Sequence, residues 1–193
     1  NFPVSGKPVP RSIIYAFALL KQAAANANAR LKLLDKERAA LIVDACEEIM
    51  IALDDPMRSE GMMQHFPVDV YQTGSGTSTN MNVNEVISNI ACKASGSKIG
   101  TKDPVHPNDH VNMGQSSNDT FPTAMQLAAC MELREFLLPA IKGLAKSLKA
   151  KAKKWDKIVT VGRTHLMDAT PVRMGQIFSG YEAAMRYGIR RAE

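Results

Sequence analysis

Cysteine is scarce in this sequence. Cys46, Cys92 and Cys130 are three in number, far apart, and never form a Cys-x-x-Cys pair. An odd count at such spacing excludes a disulfide framework and a thiolate metal site, and predicts a reducing compartment. Long apolar runs are missing too: none reaches the roughly 20 residues a membrane-spanning helix needs, so no membrane partner is expected. There is no charged-then-apolar secretory leader. Aromatics make up 6% of the chain and do not interleave with the basic residues, so no nucleic-acid partner is expected. The chain begins at NFPVSG without methionine and stops at RYGIRRAE, in a helix-like pattern with no capping glycine or proline. A piece of something longer is the expectation.

What is present is ordinary for a soluble globular protein: 193 residues, 45% hydrophobic, 22% charged and a mild net charge of +5. Seven lysines lie between Lys142 and Lys157. Ile141, Leu144, Leu148, Ala152 and Trp155 recur among them at three- and four-residue spacing, so the lysines read as the wet side of an amphipathic helix.

The pattern predicts a mainly α fold. A long helix follows Pro10 through RSIIYAFALLKQAAANANARLKLL. Asp35 caps a second, KERAALIVDACEEIMIAL. Residues 57–77 read as a loop, with FPVDVYQT extended, and a third helix covers residues 80–94. The next stretch, to Gln115, is too broken to be regular. Ser116 or Asn118 then caps a fourth helix, with Pro122 near its first turn, where proline is tolerated. Pro139 should kink or restart that helix. TVGRTHLMDATP reads as irregular and leads into a fifth helix from Val172.

Three polar islands interrupt the helices: QTGSGTSTNMNVNE, VHPNDHVNMGQSSNDTFPTAM and GRTHLMDATP. In the first, Gly74-Ser75-Gly76-Thr77 combines backbone freedom with hydroxyls just before a helix, where unpaired N–H groups suit an anion. A simple capping turn with spare hydroxyls explains it equally well, and the local pattern leaves both open. Ser116-Ser117-Asn118 repeats the arrangement at the next helix, and a single cap accounts for only one of its residues. His65 reads as a surface residue. His106, Asp109 and His110 lack a further ligand at zinc spacing, so no metal is expected. His165, after Thr164, is a titratable imidazole placed to enter a cleft. Together the islands describe neutral donors around one imidazole, suited to a small anion with several carboxylate oxygens and to charge that grows on one of them.

The blocks TGSGTSTNMNVNEVISN, HPNDHVNMGQSSNDTFPTAM and GRTHLMDATPVRMGQIFSGY resemble, in this order, the N-terminal signatures of the fumarase/aspartase superfamily, and class II fumarate hydratases in particular. NFPVSGKPVPRSIIYAFALLKQAAANAN supports the likeness, which covers essentially the whole chain. The resemblance implies residues 1–115 as an N-terminal lyase domain lacking its extreme N-terminus. Residues 116–193 would be the truncated first part of a central bundle of long helices. It implies reversible hydration of fumarate to L-malate, a step of the tricarboxylic acid cycle, with no metal or organic cofactor. A homotetramer with active sites shared between subunits is implied, in the cytoplasm or, in a eukaryote, the mitochondrial matrix. By motif, Ser75, Gly76, Thr77, Ser116, Ser117, Asn118 and Thr164 would bind substrate and His165 would be catalytic. His106, Pro107, Asn108 and Asp109 would form a second dicarboxylate site.

Two departures stand out. The family's Gly-Ser-Ser loop, which supplies the catalytic serine base, is not in this chain, and Asp103 stands where some members have arginine. The isolated residues are therefore expected to lack hydratase activity and to self-associate through exposed apolar faces of the fourth and fifth helices. The alternatives are aspartate ammonia-lyase, whose members tend to carry glutamine at the position of His165, and a noncatalytic helical interaction protein.

Overall fold

A computed structural model of the protein describes residues 4–72 and 75–193. The chain divides into two compact units, Asn1–Ala129 and Cys130–Glu193.

The first unit is built on three helices. Alanine-rich α1 (Arg11–Arg30) turns Ile14, Phe17, Ala18 and Ala25 inward. It ends before the predicted LKLL, where Lys32 takes a left-handed φ of 61°. α2 (Lys36–Asp54) starts where the sequence places it, because the Asp35 carboxylate accepts the Arg38 N–H at 2.8 Å. Its Ile42, Cys46, Ile49 and Leu53 form one buried stripe. α4 (Thr77–Ala94) adds Val83, Ile87 and Ala91. These three stripes meet in one core with Phe66, Val105 and Val111. α4 also buries a polar row at four-residue spacing, Asn80, Asn84 and Ser88. Ser88 donates to the Val105 carbonyl at 2.6 Å, fastening the irregular stretch after α4 to that helix.

Local differences from the sequence reading have local causes. The region 57–77 contains a short helix, α3 (Ser59–Met63). Of FPVDVYQT, the described residues 66–72 form no strand and make one isolated bridge, Pro8 to Asp69, while Thr73 lies outside the described residues. Asp69 organises the segment instead, accepting the N–H groups of Ser5, Gly6 and Tyr71 at 2.8 Å each. Those donors, Tyr71 first, hold its carboxyl below the usual carboxylate range. The broken stretch to Gln115 contains a π-helical turn, Pro107–Val111. α5 (Ser117–Glu132) places Pro122 inside the helix, further in than expected, since Pro122 is five residues beyond its first residue.

In the second unit a π-helical turn, Leu133–Leu137, precedes α6 (Leu138–Lys154), and Pro139 sits in the first turn of α6; the backbone stays right-handed helical through Leu137 and Leu138, so the helix is widened just before the proline rather than interrupted. The segment read as irregular is a β-hairpin, β1 (Val159–Thr164) against β2 (Met167–Arg173), paired antiparallel. It lacks the Asn-Gly or Asp-Gly signal that marks such turns in sequence. α7 (Met174–Ala192) begins two residues later than predicted. Lys142 of α6 pairs with Glu193 at 2.7 Å while Asp156 pairs with Arg173 at 3.0 Å, so α6 and α7 run antiparallel. Trp155 stacks edge-on against Phe178 at 4.9 Å. The lysines of α6 are all exposed, yet its apolar side is only partly covered: Leu144 is 49% exposed and Tyr181 of α7 is 56% exposed. Among the described residues no helix is long and apolar enough to cross a membrane.

Gly175 lets the start of α7 approach the end of α6. A Cβ there would lie 2.7 Å from the Ala152 carbonyl and 2.5 Å from Asp156 Oδ1. Gly175→Ala should therefore destabilise the second unit by about 1–3 kcal/mol. Among the described residues a Cβ on Gly180 meets nothing within 4 Å, and Gly180→Ala should stabilise that unit by about 0.5–1 kcal/mol. Urea unfolding of the two variants checks the opposite signs.

Candidate active site

Two helix N-termini meet in the first unit. Gly76 caps α4 in the left-handed region, with φ of 71°, and a Cβ on it would fall 2.1 Å from the Phe121 ring. Glycine is required there twice over, by dihedral angle and by space. Phe121 of α5 also faces the Phe17 ring at 6.2 Å, so the contact is anchored in the core. This approach brings the first two islands together: Thr77 Oγ1 lies 3.0 Å from Ser117 Oγ and 3.2 Å from Ser75 Oγ. Ser116 directly precedes α5, accepting the Asn118 N–H on its hydroxyl at 3.3 Å and the Thr120 N–H on its carbonyl at 2.9 Å. Ser75, Thr77, Ser116 and Asn118 are exposed and Ser117 half-buried, so the hydroxyl row faces outward beside two helix starts. Gly74 of the first island lies outside the described residues.

The His106–Asp109 turn is ordered by its own histidines. Pro107 is buried while Asn108 and Asp109 project outward. His106 Nδ1 accepts the N–H groups of Asn108 at 3.3 Å and Asp109 at 3.1 Å, and also lies 3.3 Å from Asp109 Oδ2. Those contacts compete for one nitrogen. Accepting two N–H groups requires a bare Nδ1, so the proton belongs on Nε2 and the carboxylate contact becomes an ion pair only in the imidazolium. His110 Nδ1 accepts the His106 N–H at 2.8 Å. Burial, then the positive charge of Arg38, lowers the His110 pKa.

A further polar centre joins these segments, and the sequence reading missed it. Lys21 lies on the apolar face of α1 with no exposure. Its ammonium donates to Asn80 Oδ1 at 2.8 Å and to Asn112 Oδ1 and Gln115 Oε1 at 2.9 Å each. Thr120 Oγ1 donates to the same Asn80 oxygen at 3.1 Å. Burial lowers the Lys21 pKa to about 7. One signal was available: a lone lysine in step with Ile14, Phe17, Ala18 and Ala25.

In the second unit, Thr164 ends β1 and His165 occupies the hairpin turn. His165 and Leu166 have φ of 49° and 65°, the left-handed pair of a two-residue type I′ turn. Both are exposed, Leu166 at 97%. Arg163 and Asp168 flank the turn at 3.5 Å.

A family profile described as "Lyase" matches residues 3–193. "Fumarate hydratase class II 2" of Bradyrhizobium diazoefficiens is 50% identical over 192 residues, which are 99% of this chain and 39% of that protein. Among solved structures, fumarate lyase:delta crystallin from Brucella melitensis superposes with a TM-score of 0.89 at 38% identity, over 99% of this chain and 43% of that one. Recombinant class II fumarase from Schistosoma mansoni gives 0.86 at 40% identity, covering 98% and 38%. The chain thus spans about two fifths of the length of the relatives it matches.

Two outcomes test this geometry. Gly76→Ala should cost at least about 2 kcal/mol, from the left-handed angle and the Phe121 overlap together; denaturant unfolding reads it. Lys21 titrates lower in the folded chain than its ordinary 10.5, so the folded state releases that proton first. Its contribution to stability should rise with pH between about 7 and 10.5 and level off above. The difference in melting temperature between the parent protein and Lys21→Met, followed across that window, carries the sign.

Proposed function

The chain belongs to the lyase family, and within it we propose that the complete polypeptide adds water reversibly to fumarate, giving L-malate. What carries the reading is the 3.0 Å contact between Thr77 and Ser117 hydroxyls, forty residues apart, at the starts of two helices. Hydroxyls beside unpaired helix N–H groups suit a carboxylate. Similarity to the Bradyrhizobium fumarate hydratase, at 50% identity, extends along 99% of the chain. Neither an aspartate ammonia-lyase nor a noncatalytic interaction protein is favoured beside it.

In the hydration direction one alkene carbon takes the oxygen of water and its neighbour takes a proton. In reverse, a proton leaves the carbon beside a carboxylate, and that carboxylate carries a second negative charge until the hydroxyl departs as water. Ser75, Gly76, Thr77, Ser116, Ser117 and Asn118 supply donors for the substrate oxygens, and donors preorganised for that extra charge stabilise the transition state. Thr164 adds a hydroxyl and His165 exchanges the proton of the water. The His106, Pro107, Asn108 and Asp109 turn binds a second dicarboxylate, using the projecting Asn108 and the Nε2–H of the half-buried His106. Residues 1–115 and 116–193 serve as the N-terminal domain and the opening of the helical bundle. The working form is a homotetramer in the cytoplasm acting in the tricarboxylic acid cycle, and the carbon base comes from sequence beyond this chain.

In a polypeptide extended to the relatives' length, His165→Gln should slow hydration about 100- to 10,000-fold, followed by fumarate absorbance, without raising ammonia release from aspartate. An unchanged rate would remove His165 from the mechanism. The 193 residues alone should show no turnover; a rate of about 1 per second or faster would contradict the need for the missing base.

A further inference from the structure

Lys21 is in an expensive place. An ammonium withdrawn from water without a carboxylate costs several kcal/mol, and an apolar residue would fill the same volume on the alanine-rich face of α1 at lower cost. Methionine could pack there but could not donate three hydrogen bonds. The three N–H bonds of the ammonium reach three amide oxygens, and those amides occupy telling positions. Asn80 lies one helical turn beyond Thr77 in α4. Asn112 directly follows the Pro107–Val111 turn, and Gln115 directly precedes Ser116. Through Asn80 the network continues to Thr120, one turn beyond Ser117. Asn80 Nδ2 closes it by donating to Asn112 Oδ1 at 3.1 Å. Every segment assigned to the two dicarboxylate sites in this unit is thus one short step from a single buried nitrogen.

We propose that Lys21 is the positioning residue of both dicarboxylate sites, its ammonium setting the spacing of the Thr77, His106–Asp109 and Ser116–Asn118 segments without touching a ligand. The claim rests on the dicarboxylate reading above for what those segments bind. It requires the charged form: a neutral amine keeps two N–H bonds for three carbonyl oxygens, so losing the proton releases one segment. Burial places that loss near neutrality. Of the groups facing Lys21, Cys46 on α2 is titratable, and its thiol is pushed up to about 12 and stays neutral through that range. α4, the 112–115 segment and α5 present amides and a hydroxyl.

The test uses protein labelled with nitrogen-15, observed by NMR from about pH 5 to about pH 9, with succinate as the binding probe. The backbone amides of Thr77, Ser117 and Asn118 should shift with one common midpoint that matches the Lys21 nitrogen and is absent in Lys21→Met. Succinate should bind at least about tenfold more weakly to Lys21→Met while its helical circular dichroism stays intact. A folded Lys21→Met that binds succinate normally and leaves those amides unmoved overturns the proposal. Should Lys21→Met not fold, Gln115→Glu decides: a carboxylate beside the ammonium should raise the common midpoint by at least about one pH unit, toward or past the top of the pH range observed, and an unmoved midpoint refutes the link. If the polypeptide extended to the relatives' length binds no succinate at all, the dicarboxylate reading fails, whereas the shared midpoint and its response to Gln115→Glu still judge Lys21.

Discussion

The first unit is organised around a buried positive charge that, among the described residues, has no negative partner. Three carbonyl oxygens around the Lys21 ammonium are the least that lets such a charge remain inside. Supplying them fixes where Asn80, Asn112 and Gln115 must stand. Asn112 and Gln115 belong to a stretch with little regular structure, so the hydrogen bonds do for it what helical periodicity does elsewhere. Asn84 shows the contrast: also buried on α4, its Oδ1 has no hydrogen-bond partner among the described residues, and its Nδ2 reaches the Met81 sulfur of its own helix at 3.9 Å.

The hydroxyl row depends on this frame and on one steric accommodation. Gly76 meets the Phe121 ring face with no Cβ between them, so the starts of α4 and α5 come close enough for Thr77 and Ser117 to touch. Helix starts repel one another electrostatically when both present unpaired N–H groups. Bringing two together makes sense where negative charge arrives between or beside them. The same logic explains why the row is neutral: permanent carboxylates there would satisfy the helix ends and leave nothing for a ligand.

Some of this was legible from residues alone. Asp35 announced the start of α2 because capping is a local bond between a side chain and an N–H three residues on. A disturbance of the helix near Pro139 was legible because proline removes a specific donor, though it takes the form of a π-helical turn and not a break. The hairpin was not, because His165-Leu166 is an unusual pair for its turn and Gly162 and Pro171 break the strand pattern. α3 was hidden by the glycine and proline around it. The convergence of Thr77 with Ser117 depends on packing between Phe17, Phe121 and Gly76, which no spacing rule encodes. Lys21 was overlooked for a related reason: a lysine amid alanines resembles a solvent-facing residue until its neighbours in space are known.

The turn at His165-Leu166 has an implication of its own. Left-handed backbone angles cost side-chain-bearing residues about 1–2 kcal/mol each, and Asn-Gly would close the same two-residue loop with far less resistance. A hairpin whose sole duty was to reverse the chain has no reason to tolerate that penalty. Imidazole and isobutyl groups are held aloft at the summit of the loop, Leu166 almost wholly bare to water, so the backbone contortion acts as a pedestal. Softening it with glycine would ease closure of the loop and blur the aim of whatever stands on top.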